Sequence, residues 1–158
     1  MAFIRTMLGD IAPEKLGFTY SHEHIVCRPQ HWVDRNADDL LLDDPAKSQQ
    51  EVALFRDAGG RSLVDATAVD YGPAPAAVRE ISRATGVQIV GTAGFNKGFL
   101  WDARMPGKTC TFEQWIESTS VDDLARFVVD EVEHGMNGTD VRGGQVKFGT
   151  GYNSISPL

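Results

Sequence analysis

The chain has 158 residues, enough for one compact domain with a buried core. Its composition is 42% hydrophobic and 23% charged, ordinary for a globular protein, and a net charge of -7 excludes general nucleic-acid binding, which needs a basic face. The opening MAFIRTMLGDIAPEKLG lacks an apolar core of signal-peptide length, and no window is long and apolar enough to span a bilayer. The expectation is a cytoplasmic protein with neither a membrane nor a nucleic-acid partner. Cys27 and Cys110 stand far apart in no CxxC pattern. They form a lone disulfide or, as a cytosolic setting favours, remain two reduced thiols.

Strand-like and helix-like segments then alternate, with no tandem repeat or linker. FTYSHEHIV (18–26) reads as a strand, its aromatic and β-branched residues preceding two histidines. DDPAKSQQEVALFRDAGG (43–60) reads as a helix: Asp44 suits the N-cap, Pro45 the first turn and Gly59 the stop. Val52, Phe55 and Ala58 are spaced as its apolar stripe. RSLVDATAV (61–69) is a second strand. APAAVREISRATG (74–86) is a second helix, with Pro75 near its start, Gly86 after its end, and Val78 and Ile81 facing inward. VQIVGTAGF (87–95) is a third strand, nearly all apolar, as a strand covered on both faces should be. A Gly- and aromatic-rich loop follows, then a short helix for which Thr111 and Gln114 form a candidate capping box. SVDDLARFVVDEVEHGM (120–136) is the third main helix, capped by Ser120, with Leu124, Phe127, Val128 and Val132 inward. GGQVKFGTG (143–151) is a fourth strand.

This β-α-β-α-β-α-β order implies parallel strands joined by right-handed crossovers. A doubly wound sheet and a (β/α)8 barrel both fit. No strand runs into GxGxxG, and GTAGFNKG lacks the GK[ST] ending of a P-loop, so nucleotide binding has little support. The last residues, with Ser156 before Pro157, read as the start of another helix. A barrel takes about 250 residues, so residues 1–158 are expected to be a partial domain, the N-terminal half of a larger architecture.

Residues two apart on a strand share a face, so His22 and His24 project together, with Glu23 on the other side. Two neutral imidazoles so placed can ligate one metal ion. The bare HxH is also compatible with two polar residues at a strand end. Its position closing the first strand of a βα series, where a barrel has its active-site mouth, favours the ligand reading. Lys147 shares a strand face with Gln145 and Gly149. A lysine amid a buried strand is costly unless paired or neutralised. Burial favours the neutral amine, a nucleophile able to take up carbon dioxide as a carbamate. The bland alternative is a lysine reaching out of the sheet into water. Asp65, ending the second strand, caps a loop or orients a ligand histidine. Residues 95–105 follow the third strand with Phe95, Asn96, Lys97, Phe99 and Trp101, and the aromatics there line an apolar substrate pocket or pack the loop down. Asp122, Asp123, Asp130, Glu131 and Glu133 read as the solvated face of the third helix. His31, in a loop, and His134, at a helix end, read as solvated surface residues.

Four blocks together, LGFTYSHEHI, LVDATAVDYG, ISRATGVQIVGTAGF and VRGGQVKFGTGYNSISPL, resemble the phosphotriesterase family of the amidohydrolase superfamily, in order and spacing across nearly the whole chain. The resemblance implies a (β/α)8 TIM barrel with a two-metal site at the strand C-termini, and hydrolysis of organophosphate triesters, lactones and related esters. It implies that His22 and His24 are metal ligands. It also implies that Lys147, carboxylated, bridges two divalent ions, zinc by expectation, that activate a hydroxide. The family's further ligands, two histidines and an aspartate on later strands, have no counterpart here. The expectation is therefore a metal-dependent hydrolase represented by strands one to four. The alternative is an inactive half-barrel, a fragment or a homo-oligomerising module waiting for its C-terminal half.

Overall fold

Helix ends fall where the sequence supplies capping chemistry. In the computed structural model, which describes residues 2–38, 41–96 and 98–150, the Asp44 carboxylate accepts from the amides of Ala46 and Lys47 and opens α2 (Pro45–Asp57). It answers donors that the first helical turn leaves unpaired. Pro75 begins α3 (Pro75–Thr85), and Gly86 ends it in the left-handed region. The capping box of Thr111 and Gln114 opens α4 (Phe112–Ser118), and the Ser120 hydroxyl caps α5 (Val121–Glu133). A short α1 (Gln30–Asp34) precedes them. Lys97, the Phe99 side chain and the helix start expected at Ser156 and Pro157 lie outside the described residues.

An antiparallel hairpin, β1 (Ile4–Thr6) and β2 (Gly9–Ile11), comes first. The main sheet is parallel: β3 (Thr19–Glu23), β4 (Ser62–Asp65), β5 (Gln88–Phe95) and β6 (Gln145–Phe148), in that spatial order. Strand order equals chain order. A doubly wound sheet reverses its order at a switch point, so the sheet is half of a (β/α)8 barrel, four strands curled with helices between them.

Alternation sorts the side chains. Leu63 and Ile89 face the helices and join Val52, Val78, Ile81 and Val87 in one buried cluster. Ala93 and Phe95 face the same way and pack with Phe112, Val128 and Leu100 in a second. Each fully buried aliphatic or aromatic side chain contributes about 1.5–3 kcal/mol. Ala58 departs from the expected stripe: the helix ends one residue earlier and Ala58 is an exposed C-cap, so Val52 and Phe55 carry the packing of α2.

Glu131 corrects the reading of the third helix as acidic only on its solvated face. It is 4% exposed, and its Oε2 accepts from the Gly94 amide at 3.2 Å. Burial pushes its carboxyl up to about 7. The hairpin, absent from the sequence reading, closes the N-terminal end of the sheet. The Met7 amide donates to the Ile89 carbonyl at 2.7 Å, and its side chain enters the first cluster. Gly144 is required at this contact, since a Cβ there would lie 2.1 Å from the Arg5 carbonyl oxygen. Among the described strands, β6 with Lys147 is an outermost one. Lys147 is half-buried on the inner face, while Val146 and Phe148 on the outer face are 50% and 69% exposed.

Candidate metal centre

The path of β3 decides which way the histidines point. Tyr20 pairs with Leu63 and Glu23 with Asp65, so three steps along β3 match two along β4. That surplus residue is a β-bulge. Tyr20 and Glu23 accordingly both line an outer groove with Phe55 and Leu63 against α2, which His24 also borders where it follows the strand. His22 and His24 turn to the inner face, where strict alternation from Tyr20 would have turned them outward.

Their rings lie 5.5 Å apart, nearly edge to face at 75°. His24 Nδ1 is 2.9 Å from Thr67 Oγ1, and its ring stacks on Tyr71 at 4.5 Å. Burial, then the nearby Lys147 charge, then His22 bring its imidazole down to about 4, so the ring is neutral at neutral pH. Lys147 comes to the same face from β6, its Nζ donating to the Ala66 carbonyl at 3.1 Å. The close pairing of β5 with β6 here requires Gly94: at φ 100°, a Cβ would meet the Lys147 carbonyl oxygen at 2.3 Å. Asp65 is buried, and its Oδ1 accepts from the Thr67 amide at 3.2 Å and from the Thr67 hydroxyl at 2.5 Å. Burial pushes its carboxyl up to about 6. Asp65 thus holds the turn after β4 and reaches His24 through Thr67.

Asp70 was not singled out by sequence, and it organises the mouth. It is 2% exposed. Its oxygens accept from the Asn96 amide at 2.8 and 3.0 Å, from Asn96 Nδ2 at 3.2 Å and from Trp101 Nε1 at 2.8 Å. Desolvation raises its carboxyl, and these donors work against that. The loops after β4 and β5 are therefore tied together beside Tyr71. Trp101 is buried on Asp70. Phe95 lies on the helix side of the sheet, its ring 5.8 Å from Trp115, 5.8 Å from Phe127 and 5.9 Å from Phe148. The structure thus brings His22, His24, Lys147 and, through Thr67, Asp65 together, and leaves Phe95 on the opposite face.

His31 is not solvated, contrary to the sequence expectation. It is buried on α1, and its Nδ1 sits 2.8 Å from Asp102 Oδ1, while Arg35 Nη2 donates to Asp102 Oδ2 at 2.5 Å. A partner about seventy residues away gives no local sequence signal. His134 is exposed, 3.4 Å from Asp130. Cys27 and Cys110 are not joined in a disulfide, and burial pushes the Cys27 thiol up to about 12.

Among the described residues no group of three or more His, Cys, Asp or Glu side chains is gathered for a cation. The donors present fit part of a divalent-metal site. With His24 Nδ1 engaged by Thr67, Nε2 is the nitrogen available to an ion. Lys147 would add a hard oxygen donor once its amine is carboxylated.

Fold and site define a half-barrel with its polar groups gathered at the C-terminal mouth of parallel strands. A family model described as the phosphotriesterase family matches residues 2–158, and the chain belongs to that family. A lactonase structure from Listeria monocytogenes is 61% identical, with a TM-score of 0.94 over 99% of this chain and 50% of that one. A mutant organophosphorus hydrolase from Deinococcus radiodurans is 29% identical, with a TM-score of 0.77 over 99% of this chain and 46% of that one. Among curated relatives, phospho-furanose lactonase of Mycoplasmopsis agalactiae is 29% identical over 99% of this chain and 45% of its own length. Human N-acetyltaurine hydrolase is 26% identical over 89% of this chain and 45% of its own length. The chain spans about half the length of the curated relatives it matches.

Proposed function

We propose that this chain carries half of the active centre of a cytoplasmic metal-dependent hydrolase whose substrates are lactones and related esters, organophosphate triesters among them. The carrying observation is that His22, His24 and Lys147 meet on one inner face at the strand C-termini, in a member of a family whose relatives are named lactonase and hydrolase. The 61% identity to a lactonase favours a lactone as substrate. In this reading His22 and His24 would hold a divalent ion, zinc by our expectation, and Lys147, once carboxylated, would supply a further donor. Bound ions supply Lewis acidity toward the carbonyl or phosphoryl oxygen and make water a nucleophile at neutral pH.

The chain's own residues perform the rest. The Lys147 ammonium first gives a proton to water; the neutral amine then attacks carbon dioxide, forming an N–C bond and releasing a second proton, so that a carbamate anion stands where the cation was. Thr67 and Tyr71 hold His24. Asp70, by fixing Asn96 and Trp101, shapes the loop after β5 at the mouth. The test is metal per chain by elemental analysis, with hydrolysis of a lactone, an aryl ester and a chromogenic phosphotriester in zinc and bicarbonate. Metal binding with turnover lost in both His22→Ala and Lys147→Ala supports the reading. A chain that binds no metal, alone or extended to the full length of its relatives, sinks it.

A second reading follows from the flanks of the sheet. Phe18 is 70% exposed beside β3 and Phe148 69% exposed on β6. Open strand edges beside such surfaces favour pairing with another chain. On this reading the half-barrel self-associates without turnover, and sedimentation of the inactive species distinguishes the two.

A further inference from the structure

We infer that Thr67 and Asp65 are positioning residues that fix His24 as the Nδ1–H tautomer, keeping Nε2 unprotonated before any ligand arrives. The purpose of this device rests on the metal-site reading above. Its geometry rests on hydrogen bonds alone.

The Thr67 hydroxyl has one hydrogen and two oxygen or nitrogen neighbours. Asp65 Oδ1 is 2.5 Å away and His24 Nδ1 is 2.9 Å away. An ionised carboxylate only accepts. If the hydroxyl gave its hydrogen to the imidazole, two oxygens would face each other at 2.5 Å with no proton between them. The hydrogen therefore goes to Asp65, and the shorter contact is the charge-assisted one. Contact with Nδ1 then requires the ring to donate, and a neutral ring that donates from Nδ1 carries its lone pair on Nε2.

The device is braced. The Asp65 carboxylate also holds the Thr67 amide at 3.2 Å, so the acceptor is fixed relative to the hydroxyl. Thr92 Oγ1 donates to the Asp65 carbonyl at 2.6 Å, and Gln145 Nε2 donates to that Thr92 oxygen at 2.7 Å. Tyr71 covers one face of the imidazole and opposes a ring flip. Residue 66, between the two, offers its carbonyl to Lys147 Nζ. One three-residue turn after β4 thus orients both the histidine from β3 and the lysine from β6.

The test uses the metal-free 158-residue chain, labelled with nitrogen-15. A long-range proton–nitrogen spectrum reads which imidazole nitrogen of His24 bears the proton. The wild type and Thr67→Ser are expected to show Nδ1–H. Thr67→Val, which keeps the shape and removes the hydroxyl, is expected to move toward the Nε2–H form that an unconstrained histidine side chain prefers. An Nε2–H ring in the wild type overturns the inference without any variant, so a Thr67→Val chain that fails to fold does not shield it. Zinc titration is the second readout: loss of the orienting partner should weaken binding about 10–100-fold, with recovery in Thr67→Ser. Equal zinc affinity in wild type and a folded Thr67→Val also overturns the positioning role, while leaving the metal site in place. An Nδ1–H wild type that binds no zinc supports the tautomer assignment and removes the metal reading instead.

Discussion

The two ends of the sheet are stabilised on different terms. At the N-terminal end the hairpin covers the strands with Met7 and with main-chain contacts, and the cluster that Met7 joins is apolar. At the C-terminal end the chain buries Asp65 and Asp70 and surrounds them with donors. Apolar burial at the first end contributes to stability directly. At the second, desolvation opposes every hydrogen bond, and what is gained is orientation of neighbouring side chains. This division matches the general separation of stability and chemistry between barrel ends.

The division can be broken first at Asp70. Asp70→Ala leaves the Asn96 amide, Asn96 Nδ2 and Trp101 Nε1 without their acceptor. At about 1–3 kcal/mol per buried unsatisfied donor, the expected loss is about 4 kcal/mol, read as a lower urea midpoint, with Trp101 fluorescence shifted toward that of a solvated indole. Met7→Ala at the opposite end should cost about 3 kcal/mol through a cavity, and should leave the His24 imidazole resonances where they are. If those resonances move, the two ends are coupled and the comparison fails.

Glu131 sharpens the contrast through pH. Its folded-state pKa, about 7, lies above the ordinary 4.5, so the folded chain holds the proton more tightly than the unfolded chain. The stability it contributes is complete below 4.5 and is lost as pH rises through about 7. Relative to the wild type, Glu131→Gln should therefore gain about 2 kcal/mol between pH 4.5 and about 6, with a further gain above it. Denaturant titrations across that range check it, and parallel curves for the two proteins would refute the burial argument. The smallest effect is expected at the open flank. Phe148→Ser, on a side chain 69% exposed, should change stability by no more than about 0.5 kcal/mol. If the flank is a self-association surface, the same change should reduce the heavier species seen in sedimentation.

Much of the scaffold was legible locally. Asp44, Ser120, Gly86 and the Thr111–Gln114 box announce helix ends because capping is a contact within a few residues. The four parallel strands were legible as strand-like segments alternating with those helices, the third as a nearly continuous apolar run. Glu131 could have been found: it stands three residues after Val128 and seven after Leu124, on the buried stripe of α5. Reading acidic residues as solvated overrode the periodicity. His31, Thr67 and Asp70 could not have been found this way, because their partners come from other loops and only folding brings them near. The hairpin was missed because its strands are three residues each, too short for alternation to register. The histidine pair was legible as a pair, but its inward direction was not, since that depends on where the bulge falls.

Regular alternation is a two-beat rhythm, and losing one beat turns every later side chain over. β3 carries one beat too many, taken up between Tyr20 and Glu23. Removing Ser21 would restore the rhythm without changing either flank. Tyr20 would remain opposite Leu63, Glu23 opposite Asp65, and both imidazoles would still look inward. In this strand a deletion is the conservative change, and straightening it at its present length is what would carry the histidines to the wrong side.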